Sequence, residues 1–291
     1  MFMDKTATSN RLETLAKILT AKNMPVLDET TLNYLLAPTS LPEFEGSHSK
    51  NIISAGREIG LIQYVENTKK VKKLSPNGKN AKEFLLEYLD HSVLSDVIVE
   101  PYFARFYSYA LAREILLTNN AEAITELTER AREEIPGFRG NNRFNDVKLR
   151  SYLSWYSYIG LTQVTKKSNP VTSETYPYER IKRKLKDIFK TSKKLAADDF
   201  MERLGNNCPE LDGGKIFCSV NSNHISVERT ITLGVSNVLI ELHMNGQIVL
   251  DCPLDSDGWN FHSMIGIASL PEGLKSTKIL SVSVGLKKAM S

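Results

Sequence analysis

The sequence predicts an α+β protein, mainly helical, in which a block of short helices followed by an extended hairpin occurs twice ahead of a smaller α+β C-terminal part. Three observations carry this expectation. Apolar residues recur at helical spacing through about the first two hundred positions, an Ile-Gly-Leu step stands at 59–61 and again at 159–161, and the net charge changes sign near residue 195.

The first block opens with NRLETLAKILTAK at 10–22, where Leu12, Leu15, Ile18 and Leu19 fall on one helical face. Asp28 is placed to cap a second helix, ETTLNYLLA, which Pro38 and Pro42 end. Ser47 can cap a third, HSKNIISAGREI, with Ile52, Ile53 and Ile59 on the buried side. Gly60 stops that helix, and LIQYVE, the turn ENTKK and KVKKLS read as a hairpin. Pro76 and Gly78 break the chain before KNAKEFLLEYLDHSVL, an amphipathic helix with Phe84, Leu85, Tyr88, Leu89 and Leu94 as its stripe, expected to connect the first block to the second.

The middle region repeats the layout. FARFYSYALAREILL and AEAITELTERAREEI are helical by periodicity, PGFRGNN is a loop, and Asn145 caps DVKLRSYLSWYSYI, which Gly160 ends before LTQVTKK. Aligning the two Ile-Gly-Leu steps sets Lys50 against Arg150, Ile53 against Leu153, Ser54 against Ser154 and Gln63 against Gln163. Polar meets polar and apolar meets apolar, the pattern expected of two copies of one unit.

From 177 to 204 the chain reads as a basic helix and a second helix that begins near Ala197-Asp198 and ends at Gly205. NNCPELDGG is a turn-rich boundary. Residues 227–244, then HMNG and QIVLD, suggest a helix stopped at Gly246 and a strand after it, and ILSVSVGLK alternates as a strand should. A degenerate third copy around Asn245-Gly246-Gln247 is compatible with this order. The domain expectation is therefore 1–95, 96–204 and 205–291.

Composition excludes several classes. No apolar run approaches the ~18 residues that a membrane span needs. The N-terminal MFMDKTATSNRLETL has no apolar stretch behind a basic start, so no secretory signal is read and a cytoplasmic protein is expected. Three cysteines, Cys208, Cys218 and Cys252, cannot form a disulfide framework and read as thiols. Charge is the more informative quantity. Residues 1–194 hold 30 of the 37 Lys+Arg and 23 of the 34 Asp+Glu, a net +7, whereas residues 195–291 carry a net −4. That asymmetry implies an anion-binding N-terminal region and a C-terminal region with another job, such as docking a protein partner.

Three helices followed by a hairpin, twice, resembles the winged helix-turn-helix family of DNA-binding proteins, over about two-thirds of the chain. The resemblance rests on layout. It implies two tandem winged-helix modules that bind double-stranded DNA, with the third helix of each (48–59 and 144–159) in the major groove and the hairpin, or wing, along the backbone. On that reading Lys50, Asn51, Ser54 and Arg57 face DNA from the first module. Lys148, Arg150, Ser151 and Ser154 do so from the second, with Arg139 and Arg143 leading into its helix. The first wing carries Lys69, Lys70, Lys72 and Lys73, with Lys79 and Lys82 beyond and no acidic residue from 69 to 82. Lys166 and Lys167 belong to the second wing. Phosphates are the natural counter-charge to such a run; the alternative is a solvated hairpin whose lysines keep an edge strand soluble. More loosely, the tandem arrangement looks like the small non-catalytic subunits encoded in bacterial phage-defence and DNA-modification clusters.

Rival chemistry finds little support. Arg180, Lys182, Arg183, Lys184, Lys186, Lys190, Lys193 and Lys194 form a second basic cluster, spread around a helix, which suits either DNA backbone or a solvated linker. Tyr152, Trp155, Tyr156 and Tyr158 could stack on unpaired bases but suit a core better. Cys208, Cys218, His224, His243, Cys252 and His262 lack the close pairs of a zinc site. The turn at Asp251, Asp255 and Asp257 lacks the glutamate that closes a calcium loop. Gly213-Gly214-Lys215 lacks a P-loop's first glycine and its Ser/Thr, and Asp146-Val147-Lys148 suits a helix start better than a nuclease centre. The expectation is a non-enzymatic protein without cofactor or metal. A winged-helix transcription regulator, and a protein–protein adaptor that binds no DNA, stay open beside the accessory-subunit reading.

Overall fold

The computed structural model describes residues 9–21, 27–36, 47–72, 74–75, 79–92, 94, 101–140, 144–167, 169–222, 229–254, 258–262 and 274–285. Lys73 and Arg143 of the expected interface lie outside these residues, as do Pro38, Pro42, Pro76, Gly78, His224, Asp255 and Asp257. The protein is α+β and mainly helical, and it divides into two compact units, residues 1–103 with 145–155 and residues 104–144 with 156–291.

In the first unit α1 (Ser9–Thr20) buries Leu12, Leu15, Ala16 and Leu19, the stripe its spacing demands. The short strand β1 (Leu27–Asp28) leads into α2 (Glu29–Leu36), whose first turn is capped by the Asp28 carboxylate accepting from Thr31 N at 2.7 Å. The helix α3 (Ser47–Glu58) buries Ile52, Ile53 and Ala55 and packs against α1 and α2. Beyond it, β2 (Lys70–Val71) pairs antiparallel with β1, Leu27 opposite Val71, and Tyr64 makes a single bridge to Val71. The expected hairpin is present but short, and its return strand is shared with β1. The next helix, α4 (Ala81–Ser92), starts on a reciprocal cap in which Glu83 N donates to Asn80 Oδ1 and Asn80 N to Glu83 Oε2. It packs on α1, so it closes the first block instead of linking to the second.

The second block begins with α5 (Pro101–Ala112), which stops well before the expected Leu117 because Glu114 turns the chain at φ 52°. Then come β3 (Leu117–Thr118), α6 (Ala121–Glu134, capped by Asn120), α7 (Asp146–Ile159), β4 (Thr162–Lys166) and β5 (Thr172–Thr175). The sheet order is β3-β5-β4, all antiparallel. In the second unit Phe106, Phe138, Phe144 and Tyr156 form an aromatic core, with Phe138 and Phe144 centroids 4.7 Å apart.

The remaining elements are α8 (Tyr178–Ile188), β6 (Lys194–Ala196), α9 (Ala197–Asn207), α10 (Lys215–Asn221), β7 (Thr230–Ile231), α11 (Leu233–Met244), β8 (Ile248–Asp251), β9 (Trp259–Phe261), β10 (Lys278–Ile279) and β11 (Ser281–Val284). One sheet runs β6-β11-β8 and another β10-β9-β7. With α10 and β7 set aside before α11, and β9 and β10 set aside before β11, the order helix, strand, helix, helix, strand, strand occurs a third time. In each occurrence the last strand lies between the other two: Val71 between Leu27 and Tyr64, β5 between β3 and β4, β11 between β6 and β8.

The same signal ends the third helix of each. Gly60, Gly160 and Gly246 sit at φ 78°, 80° and 65°, a left-handed conformation that only glycine adopts without strain. Behind it, Leu161 N returns to Tyr156 O and Gln247 N to Leu242 O, closing the helix end.

Candidate nucleic-acid interface

The face of α3 away from the core carries Lys50 and Asn51, both exposed, half-buried Ser54, and Arg57 in the last turn. One helical turn separates Lys50 from Ser54 and Ser54 from Arg57, so burying Ile52, Ile53 and Ala55 leaves this polar row outward. Across the short hairpin, Lys69, Lys70 and Lys72 are exposed as well. Backbone bonds from Val65 N to Lys70 O and from Lys72 N to Gln63 O hold the hairpin, which turns at Asn67 with φ 57°. Lys79 pairs with Glu87 of α4 at 2.5 Å, which sets it apart from Lys69, Lys70 and Lys72.

Arg57 is engaged. Its Nε donates to the Tyr64 hydroxyl at 2.7 Å, its Nη2 lies 2.5 Å from Glu29 Oε2, and the Tyr64 hydroxyl donates to the same carboxylate oxygen at 2.9 Å. The guanidinium also lies over the Tyr64 ring, 5.4 Å from its centroid. Burial works against the guanidinium's charge, but the Tyr64 and Glu29 contacts outweigh it and hold the pKa above its ordinary value. Burial and the bond to Glu29 push the Tyr64 phenol up in turn. The trio lines an open groove of about 590 Å³ with Thr30, Asn33, Thr68 and Lys69. Glu29 and Tyr64 were invisible to sequence reasoning, because Arg57 lies 28 and 7 positions away from them and no local pattern joins the three.

In the second block, Arg150 and Ser154 are exposed on α7, while Lys148 and Ser151 are half-buried. These four lie in the first compact unit; Arg139, Lys166 and Lys167, all exposed, lie in the second. Asn145 caps α7, its Oδ1 accepting from Lys148 N at 3.0 Å, and Asp146 falls in the first turn, where a negative charge meets the helix dipole. The aromatic cluster belongs to the cores: Tyr152, Trp155 and Tyr156 are buried, Tyr152 edge-on to Phe103 at 5.2 Å and Tyr156 5.3 Å from Tyr107. They are not available to stack on bases.

The second basic cluster is corrected at its first members. Arg180 is only 1% exposed: its Nε donates to Glu210 Oε1 at 2.8 Å and its Nη2 to Asn207 O at 3.1 Å, pinning α8 to the segment after α9. Arg183 donates to Ile159 O, Lys182 pairs with Glu179 and Lys194 with Asp251. Lys182, Lys186, Lys190, Lys193 and Lys194 are the exposed members of this cluster, Lys182 and Lys194 within their surface ion pairs.

Among the described residues no three His, Cys, Asp or Glu side chains come together as metal ligands, and no helix is long and apolar enough to cross a membrane. Cys208 and Cys252 are buried and Cys218 is exposed. Comparison with curated proteins and with solved structures returned no match. Residues 3–256 match the DpdG-like family, which ties the chain to a DNA-modification and defence-associated gene cluster. With most of its length inside that match, the chain belongs to the DpdG-like family.

Proposed function

We propose that the chain is a non-enzymatic double-stranded-DNA-binding subunit of a DNA-modification or defence system, built from three winged-helix modules of which the first two contact DNA. The observation that carries this is the recurrence of helix, strand, helix, helix, strand, strand with the last strand central and a left-handed glycine closing the third helix. This is the frame in which a third helix enters the major groove and a hairpin follows the backbone. Lys50 and Asn51 on α3, and Arg150 and Ser154 on α7, are the exposed side chains in the groove-reading position, with Lys69, Lys70 and Lys72 on the first hairpin and Lys166 and Lys167 on the second. The frame assigns α8 to the start of the third module.

The third module takes a protein partner. Its third helix, α11, has His243 as its only basic residue in the last turn and buries Val235, Val238, Leu239 and Leu242, and beyond the basic stretch that begins with α8 the rest of the module, from 195, carries net negative charge. A DNA phosphate would be repelled there, whereas a basic protein surface would not.

Fluorescence anisotropy of the full-length protein on a short random-sequence duplex, over a range of salt, tests the reading. Log K falls against log salt with a slope of about 0.9 per phosphate neutralised, so several contacts give a steep line. A folded protein that does not bind at low salt overturns DNA binding in favour of the adaptor role.

A further inference from the structure

Among the arginine–carboxylate pairs of the described residues, two contrast in what solvent can do to them. Arg180 and Glu210 are sealed, at 1% and 0% side-chain exposure. Arg57 and Glu29 keep 43% and 39% of their side chains in solvent, at the mouth of the groove lined by Thr30, Asn33, Tyr64, Thr68 and Lys69. An exposed pair stabilises by at most about 1 kcal/mol, so a competing anion can replace the carboxylate at small cost. Arg57 also occupies the last turn of α3, on the row with Lys50 and Ser54, where the duplex-binding reading needs a free cation.

We propose that Glu29 is a built-in competitor for Arg57, and that duplex binding exchanges the Glu29 carboxylate for a DNA phosphate seated in the groove between Arg57 and Lys69. The chemistry matches on both sides. A guanidinium offers a carboxylate and a phosphate the same planar pair of donors. Thr30, Asn33, Thr68 and Lys69 complete the lining of the groove, and Lys69 brings a second cation to it. Tyr64, bonded to both partners, holds Arg57 in the free protein and keeps it over its ring in the bound one. Glu29 thus sets a threshold: it lowers affinity for any single phosphate and reserves Arg57 for a duplex held in register by the rest of α3 and the hairpin. The inference rests on the duplex-binding reading above, and its test separates the two.

The experiment is anisotropy on the random-sequence duplex with wild type, Glu29→Gln, Arg57→Ala and the double variant, each checked for native circular dichroism. Glu29→Gln should tighten binding about two- to fivefold, the range that one exposed ion pair commands. It should leave the salt slope unchanged or steeper by at most about 0.9. The gain should vanish when Arg57 is alanine. A gain of equal size in the Arg57→Ala background would assign the effect to lost negative charge and overturn the proposal, as would a Glu29→Gln protein that binds like wild type. Either result leaves duplex binding by the wild type intact, whereas a wild type that does not bind removes both. Should Glu29→Gln disturb folding, Tyr64→Phe deletes only the hydroxyl bridge; a smaller gain supports the exchange and wild-type affinity overturns it.

Discussion

Arg180 and Glu210 meet inside the second unit with essentially no access to water, Nε to Oε1 at 2.8 Å, although 30 residues separate them in sequence. Removing one partner from such a pair strands a charge in a low-dielectric interior. Glu210→Ala is therefore expected to cost about 3–5 kcal/mol of unfolding free energy, whereas Arg180→Met combined with Glu210→Leu should cost much less. Urea unfolding of the two variants checks this; equal destabilisation would show that the cost is packing and not charge.

Near this pair, Asp212 is buried and accepts from Thr232 twice, from N to Oδ1 at 2.9 Å and from Oγ1 to Oδ2 at 2.7 Å. Burial raises its pKa to about 6 against an ordinary 3.8, with the Thr232 bonds opposing. A carboxyl that holds its proton more tightly when folded lowers stability as pH rises through that window: its cost is fully present above about 6 and gone below 3.8. Melting temperature should accordingly gain a favourable increment between pH 7 and pH 5 that Asp212→Asn lacks. Parallel pH profiles of wild type and variant would refute the assignment.

The left-handed glycines offer a graded test. A Cβ at Gly60 would meet nothing within 4 Å, whereas one at Gly160 would lie 2.6 Å from Glu179 Cβ. Gly60→Ala should cost about 1–2 kcal/mol, the strain of φ 78° alone. Gly160→Ala adds overpacking, about 1 kcal/mol or more. Thermal denaturation ranks the two, and equal losses would show that Glu179 moves aside freely.

Reversing Lys69, Lys70 and Lys72 to Glu is expected to weaken duplex binding for all sequences alike and to flatten the salt slope by up to about 2.7, at 0.9 per phosphate. Arg150→Ala should instead alter sequence preference, at about 1–3 kcal/mol for a base-edge contact. Competition titrations with unrelated duplexes distinguish the two effects; a uniform loss from Arg150→Ala would reassign it to the backbone.

What could be read ahead of the structure was what is local. Gly60, Gly160 and Gly246 each stop a helix through bonds that span six residues or fewer, and the stripe at Leu12, Leu15 and Leu19 declares its own buried face. The short strands were illegible for the opposite reason. Two or three residues carry no periodicity, and Leu27, Leu117 and Leu195 become strand residues only through Val71, Ser173 and Val282, 44 to 87 positions away. The same holds for the candidate interface. Exposure of Lys50 and Arg150 followed from helical phase, but the attachment of Arg57 to Glu29 and the withdrawal of Arg180 from the basic surface depend on partners that no local pattern announces.

The strand order has a consequence for how the chain is made. The β3-β5-β4 sheet has all its strands once residue 175 has been synthesised, and β1, Tyr64 and β2 by residue 71. In these two and in the β6-β11-β8 sheet the central strand comes last, but β11 begins 30 residues after β8 ends, whereas β5 begins six after β4, so β6 and β8 wait longest for their common neighbour. Ribosomal synthesis thus imposes a longer waiting period on the acidic C-terminal part than on the basic N-terminal sheets. A chain cut at residue 256 would retain every residue proposed to touch DNA, yet leave two strand edges exposed as templates for aggregation.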